Sequence, residues 1–250
     1  MKSSPSIWLR LYPLWMWLVY VPTAVLATLL GALIAIPLAI LVSPRLANLH
    51  VAVNWGRILT RMVPVKVELE GLEQIDPNRS YVVVANHQSQ IDIPVVYGYS
   101  GLDLRWVAKA EVGRIPFLAA GCRAIGHIFI DRSNPEQARQ AINRAVERLE
   151  PGTGLMFFPE GTRSRSGELQ SFKKGAFRVA VDQQLPVLPV SVTGTREVLP
   201  ADTLRLRPGR VKVRFHDPVA TEGMGVEQVG ELRRRVHGII ESGLASAREE

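Results

Sequence analysis

The sequence predicts an α/β protein, a single mixed sheet flanked by helices and preceded by an N-terminal membrane-embedded helical segment. Three observations point there. Beyond residue 45, short β-branched or aromatic runs alternate with helical patterns, the order from which α/β domains are built. Most of those runs are continuously apolar rather than alternating, which fits strands covered on both faces. Between Leu11 and Val42 there is no charged residue. The natural division is a membrane-associated segment over residues 1–45 and an α/β domain over residues 46–250, a normal domain size.

The apolar stretch comes first. It exceeds the about 7–15 apolar residues of a secretory signal and the ~20 that one helix needs to cross hydrocarbon. Pro13, Pro22 and Pro37 interrupt it, and proline breaks or kinks a helix. Two shorter helices dividing near Pro22 therefore compete with one tilted span. Lys2 and Arg10 precede the stretch, and Arg45, Arg57 and Arg61 follow it. Lys/Arg-rich flanks are usually cytoplasmic. Basic flanks on both sides predict a re-entrant or in-plane hairpin with both ends on the cytoplasmic face, against the plainer reading of one transmembrane helix. Trp8, Tyr12, Trp15, Trp17 and Tyr20 cluster at its leading end, where amphipathic aromatics favour the membrane interface.

Strands are expected at Val65–Leu69, Tyr81–Ala85, Ile128–Ile130, Leu155–Phe158, Val187–Val192 and Val211–Phe215. The clearest helix opens at Asn134 with Pro135 as its first residue. It carries Ala138, Ala141, Ile142, Ala145, Val146 and Leu149 on one stripe and stops before Pro151-Gly152. Further helices are expected at Lys174–Gln183 and Val226–Ala245.

The single cysteine, Cys122, excludes an intrachain disulfide and reads as a small buried hydrophobe. A net charge of +7 suits nucleic acid, an anionic membrane or an anionic substrate. The basic residues, such as Arg205, Arg207, Arg210, Lys212 and Arg214, are scattered without aromatic interleaving, so a nucleic-acid partner is not expected. They read as facing lipid or solvent. His50, His216 and His237 lack ligand-like spacing, and no metal site is indicated.

The strand at Tyr81–Ala85 runs into Asn86-His87-Gln88-Ser89-Gln90-Ile91-Asp92. A strand ending in polar residues places them at the sheet edge where α/β proteins bind ligands. On a continuous helix, five residues turn ~140°, so His87 and Asp92 meet only if the chain turns between them. Ser89-x-x-Asp92 is a capping-box pattern that supplies such a turn. Two readings follow. Asp92 merely caps a helix beside a loop histidine, or Asp92 fixes the imidazole tautomer so that the other ring nitrogen takes a proton from a substrate hydroxyl.

Further blocks follow in order: Gly126-His127-Ile128-Phe129-Ile130-Asp131-Arg132, then Phe158-Pro159-Glu160-Gly161-Thr162-Arg163-Ser164, then Val187-Leu188-Pro189-Val190. Lys109-Ala110-Glu111, with Pro116 and Gly121, lies between the first two blocks. Together, over roughly residues 65 to 220, they resemble the glycerolipid acyltransferase family, the 1-acylglycerol-3-phosphate acyltransferases in particular. The first block is similar to that family's N-H-x4-D box, and the F-P-E-G-T-R-S run matches without departure.

The resemblance implies an acyltransferase with His87 and Asp92 as its catalytic pair. Glu160, Gly161, Thr162, Arg163 and Arg132 would bind the glycerol phosphate head group, with Lys109 as a further cation. Read from the residues alone, Glu160 is equally a turn residue orienting Arg163. Arg132 alone also reads as a salt-bridge partner of Asp131 or a cap on the following helix, and Arg163 alone as a solvated surface charge. The resemblance further implies an acyl thioester donor, acyl-CoA or acyl carrier protein, and no bound cofactor. Lysophosphatidic acid and membrane lipids are the expected partners, at the cytoplasmic face of the inner membrane. Another lysophospholipid, a lyso-aminolipid or glycerol 3-phosphate as acceptor is an alternative, as is a non-catalytic phosphate-lipid binding protein. His127 falls at a variable position of its block and reads as structural.

Overall fold

The computed structural model describes Tyr12 and residues 14–131, 133–203 and 205–249. Lys2, Trp8, Arg10, Pro13 and Arg132 lie outside the described residues.

The apolar stretch forms one helix, α1 (Met16–Leu41), long and apolar enough to cross a membrane. It does not divide at Pro22. Its first turn, Met16–Tyr20, is π-helical and the regular α-helix starts at Val21, so Pro22 sits in the first α-helical turn, where a missing N–H is best tolerated. The reversal comes instead at Val42–Ser43. Ser43 Oγ accepts the N–H groups of Arg45 and Leu46 and opens α2 (Pro44–Ala47). A second π-turn, Asn48–Ala52, then leads into α3 (Val53–Met62). Trp55 Nε1 donates to Thr28 Oγ1 at 3.0 Å, so α3 returns alongside α1. α1 itself does not fold back; α1 and α3 form a helical pair whose turn falls at Val42–Ser43.

Seven strands form one mixed sheet: β1 (Val65–Glu70), β2 (Val82–Ala85), β3 (Asp103–Lys109), β4 (Ile128–Ile130), β5 (Thr153–Phe157), β6 (Val187–Thr193) and β7 (Gly209–Phe215). Their order is β1-β7-β6-β2-β5-β3-β4. From β6 to β4 every pairing is parallel, whereas β7 runs antiparallel to β6 and β1 parallel to β7. Every residue of β2 and β5 is buried, as the apolar runs Val82–Ala85 and Leu155–Phe157 require. On β7, Lys212 and Arg214 pair with Glu70 of β1 rather than facing lipid or open solvent.

One strand is not foreshadowed. β3 reads D-L-R-W-V-A-K, and Asp103 and Arg105 at its start suggest surface. Both are buried, Asp103 at 2% and Arg105 at 4% exposure, and they pair with each other. Asp103 also accepts from Asn48 Nδ2 at 2.6 Å and Thr153 Oγ1 at 3.0 Å. Buried charges persist when paired and hydrogen-bonded in this way. The network ties the turn below α1 to the sheet.

Successive strand residues face opposite sides, and a core fills each side. One, containing Val83, Leu104, Met156 and Val190, is covered by α4 (Asp92–Tyr99) and α3. The other, containing Val82, Leu155, Phe157 and Val187, lies beneath α6 (Pro135–Val146), α7 (Gly175–Asp182) and α9 (Val229–Glu249). Two short helices complete the chain, α5 (Leu118–Ala124) and α8 (Thr195–Val198). Asn134 caps α6 by accepting the Gln137 N–H. Where α3 crosses α4, Gly56 and Gly98 meet; a Cβ on Gly56 would fall 2.9 Å from the Gly98 nitrogen. That contact sets the helix that carries Asp92.

Candidate active site

The site begins where β2 ends. Asn86 is buried, and its amide mimics one more strand residue: Nδ2 donates to the Val192 carbonyl at 2.8 Å and Oδ1 accepts the Val192 N–H at 2.7 Å. This pins the exit from the sheet and leaves His87 at the C-terminal edge, where open α/β sheets place ligands.

Both main-chain groups of His87 are held by the F-P-E-G-T-R-S run. Its N–H donates to Glu160 Oε1 at 2.6 Å, and its carbonyl accepts the Ser164 N–H at 2.8 Å. The ring is held separately. Nδ1 lies 2.7 Å from Asp92 Oδ2, and the imidazole stacks on Phe158 with ring centres 3.9 Å apart and planes 10° from parallel. Asp92 is completely buried.

Its Oδ2 accepts two further hydrogen bonds, from the Gln88 and Ser89 N–H groups, each at 2.8 Å. Ser89 Oγ in turn accepts the Ile91 N–H at 3.2 Å. The bond from the Ser89 N–H to the Asp92 carboxylate is one half of a capping box. One carboxylate oxygen thus holds both the histidine and the turn ahead of α4, whose N-cap, Ile91, has no side-chain cap. An ionised carboxylate only accepts, so Nδ1 carries the proton and Nε2 of the neutral ring keeps its lone pair. Nε2 has no hydrogen bond among the described residues. The arrangement is able to take a proton from a hydroxyl placed at Nε2.

Glu160 is 4% exposed. Burial pushes its carboxyl up to about 7, against the pull of the His87 and Gln170 N–H groups, and the neighbouring Asp92 charge adds to the rise. Oε2 accepts the Gln170 N–H at 3.1 Å. Its two oxygens therefore serve main-chain donors that shape the His87 loop.

Gly161 adopts φ +78° in a turn closed by its N–H on the Phe158 carbonyl at 3.1 Å, a conformation glycine takes without strain. Thr162 is exposed on the turn. Arg163, with 27% of its side chain exposed, places Nη2 3.1 Å from Asp202 Oδ1, and Arg165 pairs with the other oxygen of that carboxylate at 2.7 Å. Lys109 ends β3 and pairs with Glu111 at 2.8 Å, more than half exposed. It makes no contact with His87 or Arg163 among the described residues.

Four contributors to the site carry no signal in the candidate set. Asn86 and Ser164 act through long-range main-chain bonds, and Asp202 pairs with Arg163 across 39 residues. Phe158 opens the quoted run, and its stacking on His87 is a property of the fold.

His127 is partly buried, and desolvation together with the Arg105 charge holds its pKa down near 3. Nδ1 takes the Trp106 N–H at 3.4 Å, and Nε2 lies 3.2 Å from the Tyr97 hydroxyl. Burial pushes the Cys122 thiol up to about 11, which leaves it a weak nucleophile.

A cavity of about 210 Å³ lies between α1 and the sheet, behind Trp106. Its walls are Ala32 and Ala35 of α1, Trp55, Tyr97, Leu118 and Ile125, among other apolar groups. Trp106 in turn packs against Phe158 with ring centres 5.5 Å apart, so the cavity adjoins the His87 stack.

The model of the Acyltransferase family matches residues 66–193. A 1-acyl-sn-glycerol-3-phosphate acyltransferase of Limnanthes douglasii is 32% identical over 206 residues, covering 82% of this chain and 72% of that protein. The human 1-acyl-sn-glycerol-3-phosphate acyltransferase alpha is 31% identical over 193 residues, covering 77% of this chain and 65% of that protein. The crystal structure of the Thermotoga maritima 1-acyl-sn-glycerophosphate (LPA) acyltransferase, PlsC, superposes with a TM-score of 0.72 at 30% identity, covering 93% of this chain and 99% of that one. This chain belongs to the acyltransferase family, in the company of 1-acyl-sn-glycerol-3-phosphate acyltransferases.

Proposed function

We propose that the chain transfers a fatty acyl group from an acyl thioester, acyl-CoA or acyl carrier protein, to the sn-2 hydroxyl of a 1-acylglycerol 3-phosphate, giving phosphatidic acid. The observation that carries this is the hydrogen bond of His87 Nδ1 to buried Asp92 at 2.7 Å, with Arg163 on the run that grips the His87 backbone.

The hydroxyl proton passes to Nε2 of His87 as the oxygen attacks the thioester carbonyl, and Asp92 stabilises the imidazolium that forms. The new C–O bond displaces the C–S bond, and the imidazolium proton goes to the departing thiolate. No enzyme nucleophile is needed. Arg163 exchanges the Asp202 carboxylate for the acceptor's phosphate, which a guanidinium binds in two-pronged fashion. This exchange sets the hydroxyl beside Nε2, and orientation alone can contribute several kcal/mol to the rate. Glu160, Gly161 and Thr162 shape the turn that presents Arg163, and Arg132 and Lys109 are further cations for the phosphate.

The hairpin of α1 and α2–α3 seats the chain in one membrane face, with the sheet on the cytoplasmic side. The apolar cavity beneath α1 takes an acyl tail. The test is an acceptor panel with acyl-CoA and purified protein, following free thiol. Thiol release should require a lysophosphatidate-type acceptor and vanish in His87→Ala. Release at the wild-type rate by that variant would discard the scheme.

A further inference from the structure

A second cavity, of about 700 Å³, lies on the opposite face of the sheet, between α6 and α7. Its volume falls within the range of about 300–1,000 Å³ usual for ligand sites. The inner end is formed by Phe158, Pro159 and Gly161, directly behind the His87 stack, and the floor is apolar, from Val107, Ile142 and Val179.

The rim is cationic. Two of its cations are already paired, Arg139 with Glu136 at 2.8 Å and Arg178 with Asp182 at 2.7 Å. Lys173 and Lys174 have no acidic partner among the described residues. Lys173 is bound into the site by its own N–H, which donates to the Pro159 carbonyl at 2.8 Å. Its side chain folds over Gly161, where a Cβ would fall 2.9 Å from Nζ. One ammonium therefore sits against the turn that holds His87, and Lys174 lines the same cavity.

We infer that this groove receives the phosphopantetheine arm of the acyl donor, with Lys173 and Lys174 holding its phosphate. The inference rests on the thioester reading above. With the acceptor hydroxyl between His87 Nε2 and the thioester carbonyl, an acyl tail in the cavity beneath α1 and the acceptor phosphate at Arg163, the thiol side of the donor needs a third exit. The groove starts at the F-P-E-G-T-R-S turn. Its apolar floor suits the methylenes and geminal methyls of pantetheine, and its two unpaired ammonium groups suit the phosphate at the arm's end. Acyl-CoA and acyl carrier protein share that arm.

Two full-chain variants test this: Lys173→Gln combined with Lys174→Gln, which removes the charge, and Ala138→Phe, which fills the groove and leaves the charge. Calorimetric binding of CoA alone, without turnover, should weaken at least about tenfold in both. The acyl-CoA KM should rise in parallel while the lysophosphatidate KM stays within about twofold. Lys173→Arg with Lys174→Arg should recover most of the CoA affinity, which a folding defect at these positions would not allow. An equal rise with acyl carrier protein assigns the lysines to the arm's own phosphate. A rise with acyl-CoA alone overturns that assignment and moves the nucleotide's phosphates there. Unchanged CoA binding in both charge and groove variants, or a rise confined to the acceptor KM, overturns the inference. Because CoA binding needs no catalysis, failure of thiol release in the wild type would count against the reaction and not against the groove.

Discussion

Glu160 Oε1 accepts the main-chain N–H of His87 at 2.6 Å, so the residue three before Arg163 fixes the histidine from behind while Asp92 fixes it from the side. Its other oxygen takes the Gln170 N–H. An amide at this position offers one acceptor and presents donors to the second N–H, an unmatched pair in a buried site. Glu160→Gln should therefore lower kcat by about tenfold through misplacement of the imidazole, with a smaller effect on acceptor KM. Steady-state kinetics checks this, and an unaltered kcat would show that the clamp is dispensable.

Asp92 allows chemistry and folding to be separated. In Asp92→Asn the remaining oxygen can still accept loop N–H groups, but a neutral amide no longer stabilises an imidazolium. Turnover should fall by at least about 10², with a melting temperature close to wild type. Asp92→Ala leaves the donors of His87, Gln88 and Ser89 unmatched, so it should also lose about 2–4 kcal/mol of stability. His87→Ala should abolish turnover without this loss. Equal melting temperatures for the Asn and Ala variants would contradict the double role of Oδ2.

The raised Glu160 carboxyl predicts a pH signature. Its pKa stands at about 7 in the folded chain against an ordinary 4.5. Between these values the folded state binds more protons than the unfolded one, so stability falls as pH rises through that window. The contribution is fully present below about 4.5 and is lost above about 7, on the order of 3 kcal/mol. Thermal melts from pH 5 to pH 8 should show a decline in the wild type that flattens in Glu160→Gln. Parallel curves would rule out Glu160 as its source.

β2 and the Leu155–Phe157 run of β5 were legible because their side chains report burial directly: both runs are apolar, and every residue is buried. β3 was not legible, because Asp103 and Arg105 neutralise each other inside the protein, a pairing that local sequence does not reveal. Pro22 misled for the opposite reason. It signals a break in a helix interior, but it falls in the first α-helical turn after a π-turn. The His87–Asp92 pair was readable since its spacing makes sense only with a turn between the two. Asn86, with its strand-like bonds to Val192, and Asp202 were not, since their partners are set by the return path of the chain.

In the proposed acceptor complex, Asp202 is the group that the phosphate displaces from Arg163. Its carboxylate bridges Arg163 and Arg165 at 3.1 and 2.7 Å, and at about half exposure such pairs are worth roughly 0–1 kcal/mol. A phosphate dianion carries more charge than the carboxylate and offers more acceptor oxygens, so it wins Arg163 whenever it is bound. Removing the competitor should therefore favour the acceptor: Asp202→Asn is expected to lower lysophosphatidate KM by about two- to fivefold, with less effect at high salt, where screening weakens the competition. Arg163→Ala should raise the same KM by at least about tenfold, and adding Asp202→Asn to it should bring no recovery, because the competition no longer exists. Acceptor KM measured for the two single variants and the double variant completes a cycle. If Asp202→Asn instead raised KM as strongly as Arg163→Ala does, the carboxylate would be orienting the guanidinium for phosphate rather than occupying its place.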